Sequence, residues 1–588
     1  MSDERSQLPG ESENSRSVFC HLLLLLAIVG IIYGARIGTM PVHGEETRWA
    51  RGGALMMETG DWIVPRQQYQ VYADRPPLNS WAMAAASMLR GKLDAAAVRL
   101  PSVLAIVATT LLVFVYARMF LDLLGSIAAA AAFATMGQVL QIGRLGESDA
   151  VFTLFISASL LLWHAGYVRR WPSVCIWTIG YSCAGFGALT KGLQAPVYFC
   201  AAATVFLIWK RDWRTLFSWS HAAGIAAFAA IVGAWQIPFY LMTDTETVLI
   251  TWFASQTDRV GLSGLPSHMA SYPLETLACL LPWSLLLIQL VNRPLRQSLR
   301  DETGHLEFLI IAIAVAYPTV WLSVGARGRY FMPLYPCIAV ILGIIIQRSV
   351  QAPVGSYARR GWNRFLVSLS LVCAGAAVFV ACAGLIPSLK DVAQPPVMAA
   401  IFAVAGLAVA VTLLWARKGA GNLRAEVAIY ALTAFLGLAY TGVVINANMA
   451  TRTDIAQLVA EAKAKVPVPE DLVSLGPVFH RFCYYYEDTI PEIPWPERVE
   501  DLPGEVDYFC FERHSGDTPE QRIDGRGRTL RTTSGTLPFP WEKIVEVGCD
   551  SRAKEVHDRT VIIGRVLRPL PQNPGDISRT VNLPTIQR

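Results

Sequence analysis

The chain alternates long apolar runs with short polar connectors, and the length of the runs decides what they are. Thirteen mostly apolar stretches of about 20 residues occupy 18–38, 98–119, 123–142, 148–168, 172–190, 193–209, 219–241, 272–291, 306–325, 330–347, 365–386, 396–415 and 425–446. As a helix, a run of that length spans about 30 Å, the hydrocarbon thickness of a bilayer. Backbone groups in hydrocarbon must pair within their own segment, so each run is expected to be a helix. The pattern predicts a mainly α, polytopic transmembrane helical bundle of about thirteen spans. The first run, VFCHLLLLLAIVGIIYGARIG, lacks a strong basic leader and a clear small-residue cleavage site. It reads as an uncleaved anchor rather than a signal peptide.

Three polar regions are longer than a turn. Residues 39–97 carry two helical stretches, EETRWARGGALMMETG and PPLNSWAMAAASMLRG. The second is short with one apolar face, so these helices are expected to be interfacial rather than spanning. Residues 242–271 include GLSGLPSH, which reads as a mobile loop. The region after 446 mixes a helical run, TDIAQLVAEAKAKV, with the strand-like runs DLVSLG, VDYFCFE and TVIIGRVL. It is expected to form a small C-terminal α/β domain over 447–570, followed by a poorly ordered tail, 571–588.

Charge orients the chain. Loops after even-numbered runs hold Arg169 and Arg170, then Lys210, Arg211 and Arg214, then Arg293, Arg296 and Arg300, then Arg348, Arg359, Arg360 and Arg364. Positive residues stay on the cytoplasmic side. Residues 1–17 are therefore expected to be a cytoplasmic tail, and 39–97, 242–271 and the C-terminal domain to be periplasmic, in a bacterial inner membrane. Hydrophobic residues make up 53% and charged residues 16%, against about 25% charged in soluble domains, which excludes an ordinary soluble protein. The net charge of +5 is explained by those loops and does not imply nucleic acid. The 11 cysteines show no CxxC or Cys/His ligand spacing, although Cys483, Cys510 and Cys549 would allow one disulfide in an extracytoplasmic domain.

On this topology six chemistry-bearing segments fall on the outer side. HGEETRW holds Glu45, Glu46 and Arg48, which read either as a base with a phosphate contact or as the acidic start of an interfacial helix. VYADRPPLNSW holds Tyr72, Asp74 and Arg75 ahead of two prolines, suited to a metal and a phosphate or to a surface salt bridge. RLGESDAVFTLF puts Glu147, Ser148 and Asp149 at the head of an apolar helix, as a functional carboxylate or a cap. Lys191 in LTKG is either a phosphate ligand or a snorkelling lysine, and His268 is a lone histidine. GARGRYFMPLYP places Arg327, Arg329 and Tyr330 in an outer loop, where two arginines call for an anionic partner. Carboxylates, cations and a histidine on one face suit a lipid phosphate substrate and an acid/base step.

These segments resemble the C-type glycosyltransferases, specifically the bacterial branch that contains the lipid A aminoarabinose transferase and relatives of protein O-mannosyltransferases. The similarity is carried by EETRWA, GDWIVP, YADRPPLNSW, SDAVFTLF, LTKG, LLPWSLLL and RYFMPLYP, over about residues 20–450. The resemblance makes 18–446 the glycosyltransferase domain. It implies catalytic roles for Glu45 and Asp149, with Glu46 beside them. Arg48, Tyr72, Arg75, Lys191, Arg327 and Tyr330 are implied as substrate and lipid-phosphate contacts, and Asp74 and His268 as ligands of a divalent metal, with no other cofactor. Position 45 is Glu where the family usually has Asp, 75 is Arg where Lys is usual, and Ala326 replaces a residue that is often basic. The implied activity moves a sugar from a polyprenyl-phosphate-linked donor to a hydroxyl of a lipid, polysaccharide or protein acceptor at the periplasmic face, among membrane lipids and without nucleic acid. The alternatives are a lipid-linked sugar flippase, which would need midplane charges, and a non-catalytic lipid-phosphate-binding relative.

Overall fold

The computed structural model describes residues 15–73, 75–243, 264–299, 303–419, 421–451, 454–514, 522–523, 529–530, 537–549 and 559–568. Most of the N-terminal tail, most of the 242–271 loop and the whole 571–588 tail lie outside the described residues. The described residues divide into two compact units. One is helical and holds residues up to 40 together with those from 75 to 450; the other holds 41–73 and the C-terminal region from 454.

In the helical unit every one of the thirteen apolar runs lies on helix. Among the described residues nine helices are long and apolar enough to cross a membrane, and a tenth span is made if a bent pair is counted as one. Leu123–Thr135 and His305–Trp321 are shorter apolar helices. The chain is a multi-pass membrane protein. The pair Leu265–Cys279 and Trp283–Val291 meets at 116°, so the run read as one span over 272–291 is broken. Pro282 lies at the break, where it offers no N–H to continue the helix.

The centre of this unit is the alanine-rich helix Leu123–Thr135, buried at every position, against Tyr335–Gln351. A Cβ at Gly343 would come within 2.6 Å of the Gly125 carbonyl and 2.8 Å of the Ala129 Cβ. Small side chains therefore let these two backbones approach closely, the usual way helices associate where no hydrophobic effect drives them. Ser148–Val168 packs between Ala95–Ala117 and Ser173–Lys191, which brings the ends of two helices together at Asp149 and Lys191.

The second unit joins the two ends of the sequence. Helix Glu46–Thr59 stops at Gly60, whose left-handed φ of 73° lets its N–H reach the Met56 carbonyl. A hairpin follows, β1 (Arg66–Gln67) and β2 (Gln70–Val71), turning through Gln68 and Tyr69 at φ 48° and 65°. The Gln68 side chain donates to Ser474 Oγ at 2.7 Å and accepts from the Val478 N–H at 2.9 Å, fastening the hairpin to the C-terminal domain. That domain contains β3 (Val473–Leu475), β4 (Glu492–Ile493), β5 (Tyr508–His514), the small pair β6 (Arg522–Ile523) and β7 (Thr529–Leu530), β8 (Trp541–Gly548) and β9 (Arg559–Val566).

Its five-stranded sheet runs β4-β3-β5-β9-β8, parallel on one side and antiparallel on the other. Alternation along β5 and β9 sends Cys510, Val561 and Ile563 to one core with helix residues Val459 and Phe482, and Phe509, Phe511 and Ile562 to the opposite core. Cys483, Cys510 and Cys549 are free and buried. Cys510 on β5 and Cys549 beyond β8 have β9 between them, so about 9–10 Å of strand spacing puts that pair beyond disulfide reach.

His480 is buried in this unit, its Nδ1 2.6 Å from Thr47 Oγ1. Burial first, then Arg48, Arg481 and Arg559, holds its imidazole well below the ordinary value of 6.5. The unfolded chain therefore binds a proton below pH 6.5 that the folded unit refuses, so the contribution is complete above that pH and is lost on acidification. The unit is expected to weaken by up to about 1.4 kcal/mol per pH unit below ~6. Protease sensitivity of the C-terminal region of the full chain between pH 7.5 and 5 checks this, and His480→Asn should flatten the profile.

Candidate active site

In the helical unit, Ser148–Val168 begins without a side-chain cap, because Glu147 at its N-cap position makes no capping hydrogen bond. Both acidic side chains are turned to cations instead. Lys191, the last residue of Ser173–Lys191, places Nζ 2.6 Å from Asp149 Oδ1. Arg329 bonds the Glu147 carboxylate and stands 3.8 Å from Asp149 Oδ2. Side-chain exposures of 5% for Asp149, 10% for Glu147, 17% for Lys191 and 18% for Arg329 put all four out of bulk water. Arg75 adds a third positive charge acting on Asp149. The Tyr330 ring lies 4.8 Å from Lys191 Nζ and 5.9 Å from the Arg329 guanidinium carbon, within cation–π range. Arg329 Nε is buried and has no hydrogen-bond acceptor among the described residues.

The Arg327–Tyr330 turn is held from the first helix of the bent pair and from the start of Tyr335–Gln351. Glu275 Oε1 accepts from the Gly328 N–H at 2.6 Å, the Tyr272 hydroxyl donates to the Arg327 carbonyl at 3.3 Å, and the Tyr335 hydroxyl donates to the Gly328 carbonyl at 3.1 Å. A Cβ on Gly328 would meet Cys279 Sγ at 2.5 Å, so a larger residue between the two arginines would have to displace that side chain. The turn separates their roles: Arg329 faces the carboxylates, whereas Arg327 is exposed with no ion-pair partner among the described residues.

In the other unit Glu45 precedes helix Glu46–Thr59 and bonds Arg48 at 2.6 Å, with 41% of its side chain exposed. The Arg48 guanidinium lies 5.9 Å from the Tyr72 ring. Glu46 differs sharply from its neighbour. It is fully buried and accepts from the His43 N–H at 2.9 Å, which makes it a fastening of the loop rather than an accessible base.

Asp74 lies outside the described residues. His268 sits on helix Leu265–Cys279 rather than in a loop, because Gly264 and Pro266 start the helix there. Its Nε2 is 3.3 Å from the Val320 carbonyl. Among the described residues no group of three or more His, Cys, Asp or Glu is arranged to hold a metal ion. The sequence marked Arg329 and Glu147 among the outer-side residues, but the resemblance gave a role to Arg327 and Asp149 instead, and Glu275 was not marked. An Arg-Gly-Arg turn with acids on two nearby segments was the available signal.

In fold the chain resembles a solved bacterial membrane protein, and in sequence it resembles the bacterial aminoarabinose transferases. It aligns over 94% of its length with 98% of ArnT from Cupriavidus metallidurans, both in the structure bound to undecaprenyl phosphate and in the apo structure, at TM-scores of 0.65 and 0.66 and identities of 15% and 16%. The family profile described as dolichyl-phosphate-mannose-protein mannosyltransferase matches residues 74–236. The undecaprenyl phosphate-alpha-4-amino-4-deoxy-L-arabinose arabinosyl transferase of Pseudomonas aeruginosa (strain LESB58) is 27% identical over 377 residues, 62% of this chain and 66% of that protein. Its counterpart in Pseudomonas paraeruginosa is 28% identical over 369 residues, 61% of this chain and 65% of that one. The matched stretch thus spans just under two thirds of these relatives.

Removing one member of a buried ion pair strands the other charge, at about 3–5 kcal/mol. Lys191→Met is expected to lower the thermal midpoint in detergent on that scale, and Asp149→Asn added to it to recover most of the loss.

Proposed function

We propose that this protein is a glycosyltransferase that moves a sugar from a polyprenyl-phosphate-linked donor to a hydroxyl acceptor at the periplasmic face of the inner membrane. The N-terminus is then cytoplasmic and the C-terminal domain periplasmic. The reading is carried by the Asp149–Lys191–Arg329 cluster, where buried cations and an unsatisfied Arg329 Nε stand at the head of a span. Names of the similar proteins, which specify an undecaprenyl phosphate-linked aminoarabinose, support a polyprenyl carrier and a pentose donor. A lipid, lipid A above all, is the acceptor that this similarity favours over polysaccharide or protein.

The leaving group is a phosphate monoester, already stable as an anion, so it needs neutralising charge rather than a proton. Arg75, Lys191 and Arg327 supply it, and Tyr330 orients Lys191. Of the catalytic carboxylates, Asp149 is engaged by cations and holds them in place, whereas Glu45 is accessible. A carboxylate base, the role that the family resemblance gives Glu45, takes the proton of the acceptor hydroxyl as that oxygen bonds the anomeric carbon, and the bond from that carbon to the phosphate oxygen breaks as polyprenyl phosphate departs. Arg48 and Tyr72 position Glu45. A divalent ion, which the family resemblance implies, belongs to this reading only as an addition, tested by chelation.

Purified protein given a polyprenyl-phosphate sugar and a hydroxyl acceptor should release polyprenyl phosphate and form a product of inverted anomeric configuration, measured by mass spectrometry and NMR. Glu45→Ala and Asp149→Ala should each abolish release. Full activity in both variants would refute the mechanism. Arg327→Ala should raise the donor KM about tenfold or more, the loss of one hydrogen bond to a charged group.

A further inference from the structure

The helical unit contains a second recess, built from different chemistry and from residues the transfer reaction does not use. It has a volume of about 650 Å³ and is lined by Leu290, Arg293, Arg296, Gln297, Leu306, Ile310 and Ile341. That size falls within the ~300–1,000 Å³ typical of small-ligand sites. Four elements form it: the end of Trp283–Val291, the short helix Arg293–Leu299, and the flanks of Thr303–Trp321 and Tyr335–Gln351.

The lining is divided by polarity. Leu290, Leu306, Ile310 and Ile341 come from apolar helices, and the two arginines stand with Gln297 on the connecting segment. Both arginines are exposed, and neither makes an ion pair or hydrogen bond through its side chain among the described residues. The contrast with neighbouring basic residues is informative. Lys210 pairs with Glu307, and Arg359 is buried on backbone carbonyls at Val350 and Gly419. Arg293 and Arg296 are thus cations without a counter-charge among the described residues, beside a hydrophobic recess in a bilayer-spanning unit.

An occupant must present an anion and apolar chain from one molecule. A soluble phosphate would leave the aliphatic wall wet, and a neutral acyl chain would leave the arginines uncompensated. Basic recesses between spanning helices at the membrane surface meet these demands with lipid headgroups. We infer that this groove binds an anionic glycerophospholipid of the surrounding bilayer, its phosphate on Arg293 and Arg296 and the start of its acyl chains along Leu306, Ile310 and Ile341.

The test is equilibrium binding to the full chain in mixed micelles, followed by native mass spectrometry with phosphatidylglycerol, phosphatidylcholine or glycerol 3-phosphate as the probe. Phosphatidylglycerol should bind about 30-fold more tightly than phosphatidylcholine, as two arginines worth about 1 kcal/mol each would give. Arg293→Ala with Arg296→Ala should reduce it to the phosphatidylcholine level, and Ile310→Trp, which fills the groove, should displace it. Equal binding of the two lipids, or phosphatidylglycerol binding unchanged in the double variant, overturns the inference. Glycerol 3-phosphate binding as tightly as the lipid would overturn it equally, by removing any role for the apolar wall. Should the double variant fail to fold, a salt titration of the wild-type protein is decisive in its place: the preference should collapse between about 50 and 500 mM if the arginines create it, and persistence refutes it.

Discussion

A carboxylate at the head of an apolar helix is tolerable only if something answers its charge, and the region around Asp149 is organised to answer it. Lys191 arrives from the C-terminal end of the next helix, where the helix dipole already favours a cation. Arg329 arrives from a turn far along the chain and also bonds Glu147. Away from water these charges act on one another at low effective dielectric, so the arrangement is stiff. It also leaves cationic capacity over, since Arg75 and Arg327 have no ion pair among the described residues and Arg329 Nε lacks an acceptor there.

Much of the helical unit was legible because span length is a strong physical constraint. The thirteen apolar runs all became helix, and the C-terminal helix and three strand-like runs appear at Ile455–Lys463, Val473–Leu475, Tyr508–His514 and Arg559–Val566. Interruptions were not legible. The bend near Pro282 and the helix beginning after Gly264 depend on whether a proline opens a helix or ends one, and tertiary packing decides that. Strand β8, WEKIVEVG, alternates well enough to have been found, but it precedes a charged stretch that masked the pattern.

The candidate site was legible by residue type more than by role. Glu45 and Glu46 are neighbours in sequence and read alike, yet one is accessible and the other is buried on the His43 N–H, because successive residues at the start of a helix point about 100° apart. Arg327 and Arg329 diverge in the same way across Gly328. In both pairs the distinction belongs to backbone geometry, which residue identity alone does not encode. The Glu275 clamp on that turn is a hydrogen bond to a main-chain N–H, and such contacts leave no mark in a side-chain pattern.

The pairing of the first loop with the C-terminal domain has a consequence for biogenesis. Thr47 meets His480 across 433 residues, and Gln68 meets Ser474 across 406. During synthesis, which adds about 5–20 residues per second, the loop emerges long before its partner exists and waits tens of seconds for it. Helix Glu46–Thr59 acquires those long-range contacts, through Thr47 and Arg51, only after the last spans have been made. A ribosome that stops before these residues are made therefore leaves a chain whose membrane helices are present but whose first-loop helix and hairpin lack the partners that fasten them.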